Sequence, residues 1–303
     1  MSFIKRLVEF IFYGNYFYGL CTVALSIEAG LQQQVVLNTP LYYIFLYAAT
    51  IVYYTKAYLG EINPATVNKR SQWYLKNRKF VWLSQSVFIC ITLGIGIYLF
   101  IGYIHNFRTL TIIEWAEIFI FPIIALSYYG ISLFKATQIN LRQTGWLKPF
   151  FIGFVWSGAV TIYPLLFHQI ETGVHHNISL YGSFLFIKNW MFITVLSIMF
   201  DIKDYAADHN RRLKTFVVRV GIRKTIFFII IPLSIIGFIS YIIFVVAMNF
   251  PLMRILFNSV PFILLIIVAG SLQRRKSILY YLAVIDGLML VKAACGILGV
   301  LLS

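Results

Sequence analysis

The feature that most restricts this chain is a succession of apolar runs, each about twenty residues long, cut by short polar stretches. A helix of roughly 20 apolar residues crosses the hydrocarbon core of a bilayer. Nine such runs can be placed, at 8–28, 41–60, 80–102, 112–134, 147–167, 181–200, 225–247, 252–270 and 279–301. A backbone facing lipid must satisfy its own hydrogen bonds, so all nine are expected to be helical. The fold class that follows is all-α, a polytopic membrane protein of about nine transmembrane helices in a single domain. Composition agrees: 12% of the residues are charged, where soluble domains carry about 25%.

Charge then orients the runs. The basic residues fall in alternate loops: Lys5 and Arg6; Lys56, Lys69, Arg70, Lys76, Arg78 and Lys79; Lys135, Arg142 and Lys148; Lys203, Arg211, Arg212, Lys214, Arg219, Arg223 and Lys224; and Arg274, Arg275 and Lys276. Only Arg108 and Arg254 fall in the opposite loops. The positive-inside rule places the basic loops and the N-terminus in the cytoplasm and the C-terminus outside. The net charge of +15 is thus read as topology charge, and nucleic acid is rejected as a partner; the partner is the bilayer. Cys21, Cys90 and Cys295 lie inside apolar runs, without metal or disulfide spacing, and read as small core residues. The first run lacks a small-residue cleavage site and reads as a retained span.

Against this background one polar stretch stands out. Three of the 10 acidic residues, Asp201, Asp204 and Asp208, fall within eight positions just past an apolar run. On a helix, positions i, i+3 and i+7 share a face. Carboxylates on one face beside a basic cluster suit a Mg²⁺–phosphate site, because Mg²⁺ takes one or two carboxylates plus substrate oxygens while cations cover the remaining phosphate charge. The expected metal ligands are Asp201, Asp204 and Asp208; Lys148, Lys214, Arg211, Arg212 and Arg219 are expected around a diphosphate. The alternative is a solvated cytoplasmic helix with mixed charges.

The pattern Asp201-x-x-Asp204-x-x-x-Asp208, followed by Lys214-Thr215-Phe216-Val217-Val218-Arg219-Val220-Gly221, closely resembles the second aspartate-rich motif of the UbiA superfamily of intramembrane prenyltransferases. Leu147-Lys148 through Trp156 to Pro164 resembles the start of that family's fifth helix, and Asn15 sits where the family often places a cavity-facing asparagine. The resemblance implies a UbiA-like helical bundle. It implies Mg²⁺-dependent transfer of a prenyl group from a prenyl diphosphate to an aromatic or other lipophilic acceptor. Lys148, Arg142, Arg211, Arg212, Lys214, Arg219 and Asn15 become the expected diphosphate contacts, and Asp201, Asp204 and Lys148 the expected catalytic residues. The family's first acidic motif, due near 54–63, is altered: Tyr54-Thr55-Lys56-Ala57-Tyr58-Leu59-Gly60-Glu61-Ile62-Asn63 has no aspartate, and only Glu61 and Asn63 are left to ligate. Two readings stay open: a single-metal enzyme in which Lys56 and Lys148 offset diphosphate charge, or a non-catalytic member that binds an isoprenoid or a partner protein. A transporter has little support, since no pair of broken helices is legible at mid-membrane.

Asp286 and Lys292 lie within the last run; they are six apart, so each is expected to pair with a neighbouring helix in a structural role. Lys188 is expected to snorkel to the outer headgroups. His175-His176 reads as an exposed loop pair, and His209 as a solvated neighbour of Asp208. Trp73 and Tyr74 are expected at headgroup level on a short interfacial helix.

Overall fold

The computed structural model of the chain describes residues 3–60, 69–128, 145–175, 178–210 and 214–303. Among these, every regular element is a helix: α1 Phe3–Tyr13, α2 Tyr16–Gln32, α3 Pro40–Lys56, α4 Lys69–Lys76, α5 Arg78–Gly102, α6 Ile104–Arg108, α7 Ile112–Tyr128, α8 Lys148–Thr172, α9 Leu180–Asn210, α10 Phe216–Val220, α11 Ile222–Ala247, α12 Leu252–Ser271 and α13 Ile278–Leu301. Six helices (α5, α8, α9, α11, α12 and α13) are long and apolar enough to cross a membrane, and seven if α1 and α2 count as one bent span. The shorter α3 and α7, 17 residues each, fall at the remaining two expected places.

The first span departs from the sequence expectation. It is not one helix over 8–28 but two, bent by 61°. The break is at Asn15, which adopts a left-handed conformation with φ 67°. Asparagine tolerates that region better than most residues, and here its side chain is fixed from three sides. Asn15 Nδ2 donates to Thr55 Oγ1 at 3.1 Å and to the Tyr74 hydroxyl at 2.9 Å, and its Oδ1 accepts from Arg70. Arg70 and Tyr74 also donate to the Tyr13 carbonyl, whose helical partner the break has removed. Burial pushes the Tyr74 hydroxyl up to about 12, so it remains a donor. The helix expected at the interface is therefore present as α4. Its Arg70 and Tyr74, however, are buried against the α1–α2 break.

Three spans contain a π-turn, at Gly158–Ile162, Ile226–Ile230 and Tyr281–Ile285. The first two precede Pro164 and Pro232. A proline inside a helix lacks an N–H and its ring presses on the carbonyl four residues back, and a wider turn at that point absorbs the mismatch. This is how α8 runs unbroken to Thr172, five residues beyond the expected limit.

α8 and α9 pack antiparallel at the centre. Lys148 meets Asp201 at one end, and Ser157 Oγ donates to the Phe186 carbonyl further along. Gly153 sets the spacing: a Cβ there would lie 2.7 Å from the Trp190 carbonyl oxygen. The main core lies on the other side of α9, where Leu196, Met199, Leu265, Leu282 and Ile285 are buried among α2, α12 and α13.

Candidate functional site

The site expected around the aspartates lies on the last three turns of α9, which continues past residue 200 to Asn210. Asp208, in the last turn of α9, faces the negative end of the macrodipole, a placement that costs about 0.3–1 kcal/mol. Asp201 and Asp204, further from that end, each have a cation beside them. Lys148, at the first turn of α8, places Nζ 2.9 Å from Asp201 Oδ1. Lys203 lies 3.4 Å from Asp204 Oδ2 and 5.3 Å over the Phe200 ring.

The three aspartates are not equivalent. Asp201 is fully buried, Asp208 is buried and Asp204 is half-exposed. Asp201 Oδ2 is enclosed and has no hydrogen-bond partner among the described residues. A buried carboxylate oxygen without a donor is costly, and a hard cation is one group that would satisfy it. Among the described residues no three acidic, imidazole or thiol groups converge into a cage. The donor set therefore fits Mg²⁺ only in the mode that takes one or two carboxylates, Asp201 and Asp204, with the rest of the sphere from water and substrate oxygens.

Lys214 reaches the same end of the bundle through the backbone. Gly145, in the turn before α8, lies so close to the chain at Lys214–Thr215 that a Cβ would meet the Thr215 nitrogen at 2.7 Å. Thr215 then caps α10, accepting from the Val218 N–H. Lys214 and Arg219 are exposed there. Asn15, expected at the diphosphate, is instead committed to Arg70, Thr55 and Tyr74 at the α1–α2 break. Arg142, Arg211, Arg212 and Glu61, like Lys135, Asn63, Pro64 and His176, lie outside the described residues.

One turn beyond Lys148, α8 lines an apolar cavity of ≈ 240 Å³ between α3, α7 and α8. Phe151 and Ile152 stand at the end nearest Lys148, and Tyr42, Phe121, Trp156 and Tyr163 line it further along. Trp156 Nε1 donates to the Tyr54 hydroxyl, and Tyr18 stacks on Tyr54 with centroids 4.5 Å apart. Neither Lys148 nor Asp201 lines this cavity, whose nearest lining residues, Phe151 and Ile152, follow Lys148 by one turn of α8.

Several buried charges read differently from expectation. Lys292 pairs with Glu28 of α2 at 2.8 Å, a partner on a neighbouring helix as its spacing from Asp286 required. Asp286 is buried beside Tyr18 on α2. Lys188 does not snorkel: it is buried, 3.4 Å from Asn258 Oδ1 and 5.2 Å from the Tyr241 centroid. Arg254, taken as a loop charge, is buried in the first turn of α12. His175 hydrogen-bonds Gln169, with Glu114 at 3.5 Å. The Glu28–Lys292 pair and buried Arg70 went unnoticed in the sequence; an acid within the first apolar run was the available signal for the pair. In comparisons with protein families, characterised proteins and solved structures, no family, protein or structure matches the chain.

Proposed function

We propose that this chain is a Mg²⁺-dependent intramembrane prenyltransferase. In this reading nine spans, with α1 and α2 counted as one, cross the membrane in a UbiA-like bundle with the N-terminus cytoplasmic and the C-terminus outside. It moves a prenyl group from a prenyl diphosphate to an aromatic or other lipophilic acceptor at the cytoplasmic face. The observation that carries the reading is the partly buried Lys148–Asp201 pair, with an Asp201 oxygen that has no partner among the described residues, one helical turn from an aromatic-lined apolar slot.

Each part of the site then has a task. The slot excludes water and takes the hydrocarbon tail. Lys148, a fifth exposed, donates to the diphosphate with Lys214, and Arg142, Arg211, Arg212 and Arg219 supply further positive charge. Asp201 and Asp204 would hold Mg²⁺, with Asp208 and Glu61 as further candidate ligands. The ion, when bound, supplies charge that offsets the departing diphosphate. The allylic C–O bond breaks with its electron pair leaving on the diphosphate. The allylic cation forms beside the faces of Tyr54 and Trp156, which attract cations. The acceptor's nucleophilic atom bonds to the freed carbon and loses a proton.

A second reading, a non-catalytic member that binds an isoprenoid or a partner protein, has its own observation. At the end of α3, where the resemblance places the first acidic motif, Tyr54, Thr55 and Tyr58 are committed to Trp156, Asn15 and Tyr74. Titration of the purified protein with a non-hydrolysable geranylgeranyl diphosphate analogue separates the two. Binding that needs Mg²⁺ and disappears in Asp204→Ala is expected of the enzyme. Binding without Mg²⁺, and no product with any acceptor, favours the second reading.

A further inference from the structure

Thirteen residues before Asp201 on α9, about 20 Å along the helix axis, lies a second buried charge cluster that the proposed reaction does not use. It joins α2, α9, α12 and α13. Glu28 is its one carboxylate, and both oxygens are engaged: Oε2 accepts from Lys292 at 2.8 Å and Oε1 accepts from Gln32. Gln32 Nε2 also donates to Asn258 Oδ1 at 3.0 Å, and Tyr181 donates to Gln32 Oε1.

Two further basic side chains stand in this network with no carboxylate paired to them among the described residues. Lys188 is 6% exposed; its hydrogen bond runs to Asn258 Oδ1 at 3.4 Å, an oxygen already shared with Gln32. An ammonium carries three donors, so capacity is left over. Arg254 is 8% exposed. Its guanidinium donates to the Gln32 carbonyl at 3.0 Å and to the Tyr181 hydroxyl at 3.2 Å, while its Nε is buried without a partner among the described residues. Arginine does not lose its proton in proteins. Three basic side chains thus face one carboxylate among the described residues in a low-dielectric interior, where any charge left uncompensated is expensive. The C-terminus of α2 and the rings of Tyr181, Phe250 and Tyr241 offset part of it.

We infer that this cluster binds a small monovalent inorganic anion of the halide class, held by Lys188 and Arg254. The inference does not depend on the proposed function. Size follows from the packing. Gly296 of α13 lies against Glu28 and Gln32, and a Cβ on Gly299 would sit 3.4 Å from the Arg254 Cα, so the helices approach too closely for a large ligand. A single charge follows from desolvation, since a divalent anion would lose far more hydration than these few donors return.

The test uses the whole purified protein in neutral detergent at fixed ionic strength, exchanging sodium chloride for sodium gluconate. Saturable stabilisation by chloride is expected, raising Tm by roughly 3 °C at tenfold excess over Kd. Bromide should reproduce it, and Lys188→Met should abolish it. Broadening of the chloride-35 resonance by the unaltered protein, relieved by iodide, gives a second readout that needs no variant. Equal Tm in chloride and gluconate, no competable broadening, or a full response retained in Lys188→Met overturns the inference. A shift produced in gluconate by phosphatidylglycerol, with none from chloride, also overturns it, because the anion would then be a lipid phosphate.

Discussion

Removing Lys148 should be costlier than removing Asp201, although the two form one pair. Lys148 Nζ lies 2.9 Å from Asp201 Oδ1, and the side-chain exposures are 22% for the lysine and 0% for the aspartate. In Lys148→Met the buried carboxyl group loses that contact and must either hold an unpaired charge or take up a proton, and its other oxygen has no partner among the described residues. Breaking a buried pair in this direction costs about 3–5 kcal/mol, and the partial exposure of Lys148 puts this pair at the lower end of that range. In Asp201→Asn the charge disappears and the freed ammonium turns to water along the path its exposure provides, leaving a cost of about 1–2 kcal/mol for one imperfectly bonded amide. The expected order is that Lys148→Met is less stable than Asp201→Asn by about 2 kcal/mol, with the double variant between Lys148→Met and the parent. Equilibrium unfolding in mixed detergent with EDTA measures all three. Millimolar Mg²⁺ should restore stability to Lys148→Met, because it offers Asp201 a replacement cation. Ligand linkage is worth up to about 2.7 kcal/mol at a hundredfold excess over Kd. Equal losses, a larger loss in Asp201→Asn, or no response of Lys148→Met to Mg²⁺ would refute the picture of a carboxylate that needs a cation at that point.

Asp204 is half-exposed and its contact with Lys203 is 3.4 Å, so Asp204→Ala should change stability by less than about 1 kcal/mol while abolishing prenyl transfer. Turnover by the folded variant would remove Asp204 from the site. Gly153→Ala places a Cβ 2.7 Å from the Trp190 carbonyl and should cost about 1–3 kcal/mol as α8 and α9 part. An unchanged melting temperature would mean that the helices are less closely seated. Asn15→Ala loses the bonds to Thr55, Tyr74 and Arg70 and forces alanine to φ 67°. Asn15→Gly loses the same bonds without the backbone strain and should be milder by about 1 kcal/mol, which paired melts can resolve.

The coarse fold was legible because it is set by local quantities. Run length gave the helices, and their observed limits fall within a few residues of the expected ones at α5, α11, α12 and α13. Spacing correctly put Asp201, Asp204 and Asp208 on one helix. It could not foretell that Asp201 would be enclosed and Asp204 half-exposed, since that depends on which side of α9 receives α8. Cations were harder. Each buried one sits beside partners far away in sequence: Lys292 and Glu28 are 264 positions apart, and Arg70 and Asn15 are 55 apart. No window of a sequence contains both halves of such a contact, so Lys188 and Arg254 were read as an interfacial and a loop charge. Asn15 was singled out rightly as a special residue, but its work in the structure is to hold a bend.

Why Lys148 meets Asp201 at all depends on two missing side chains. Lysine has a flexible four-carbon stem, and a fixed contact with a fully buried carboxylate needs a fixed base for that stem. Gly153 supplies it from one side, five residues along α8, by bringing the helix to backbone distance from Trp190. Trp190 Nε1 then donates to the Phe150 carbonyl at 2.9 Å and pins the first turn. Gly145 supplies it from the other side, where the turn before α8 rests on the Lys214–Thr215 backbone. A substitution at Gly145 should therefore act on the site without touching either charge. Gly145→Val has to lift the turn off Thr215, shift the root of α8 and lengthen the Lys148–Asp201 contact. The expected signature is a loss of analogue binding that is smaller than in Asp204→Ala and is recovered by higher Mg²⁺, since the ion can occupy Asp201 once the ammonium has withdrawn.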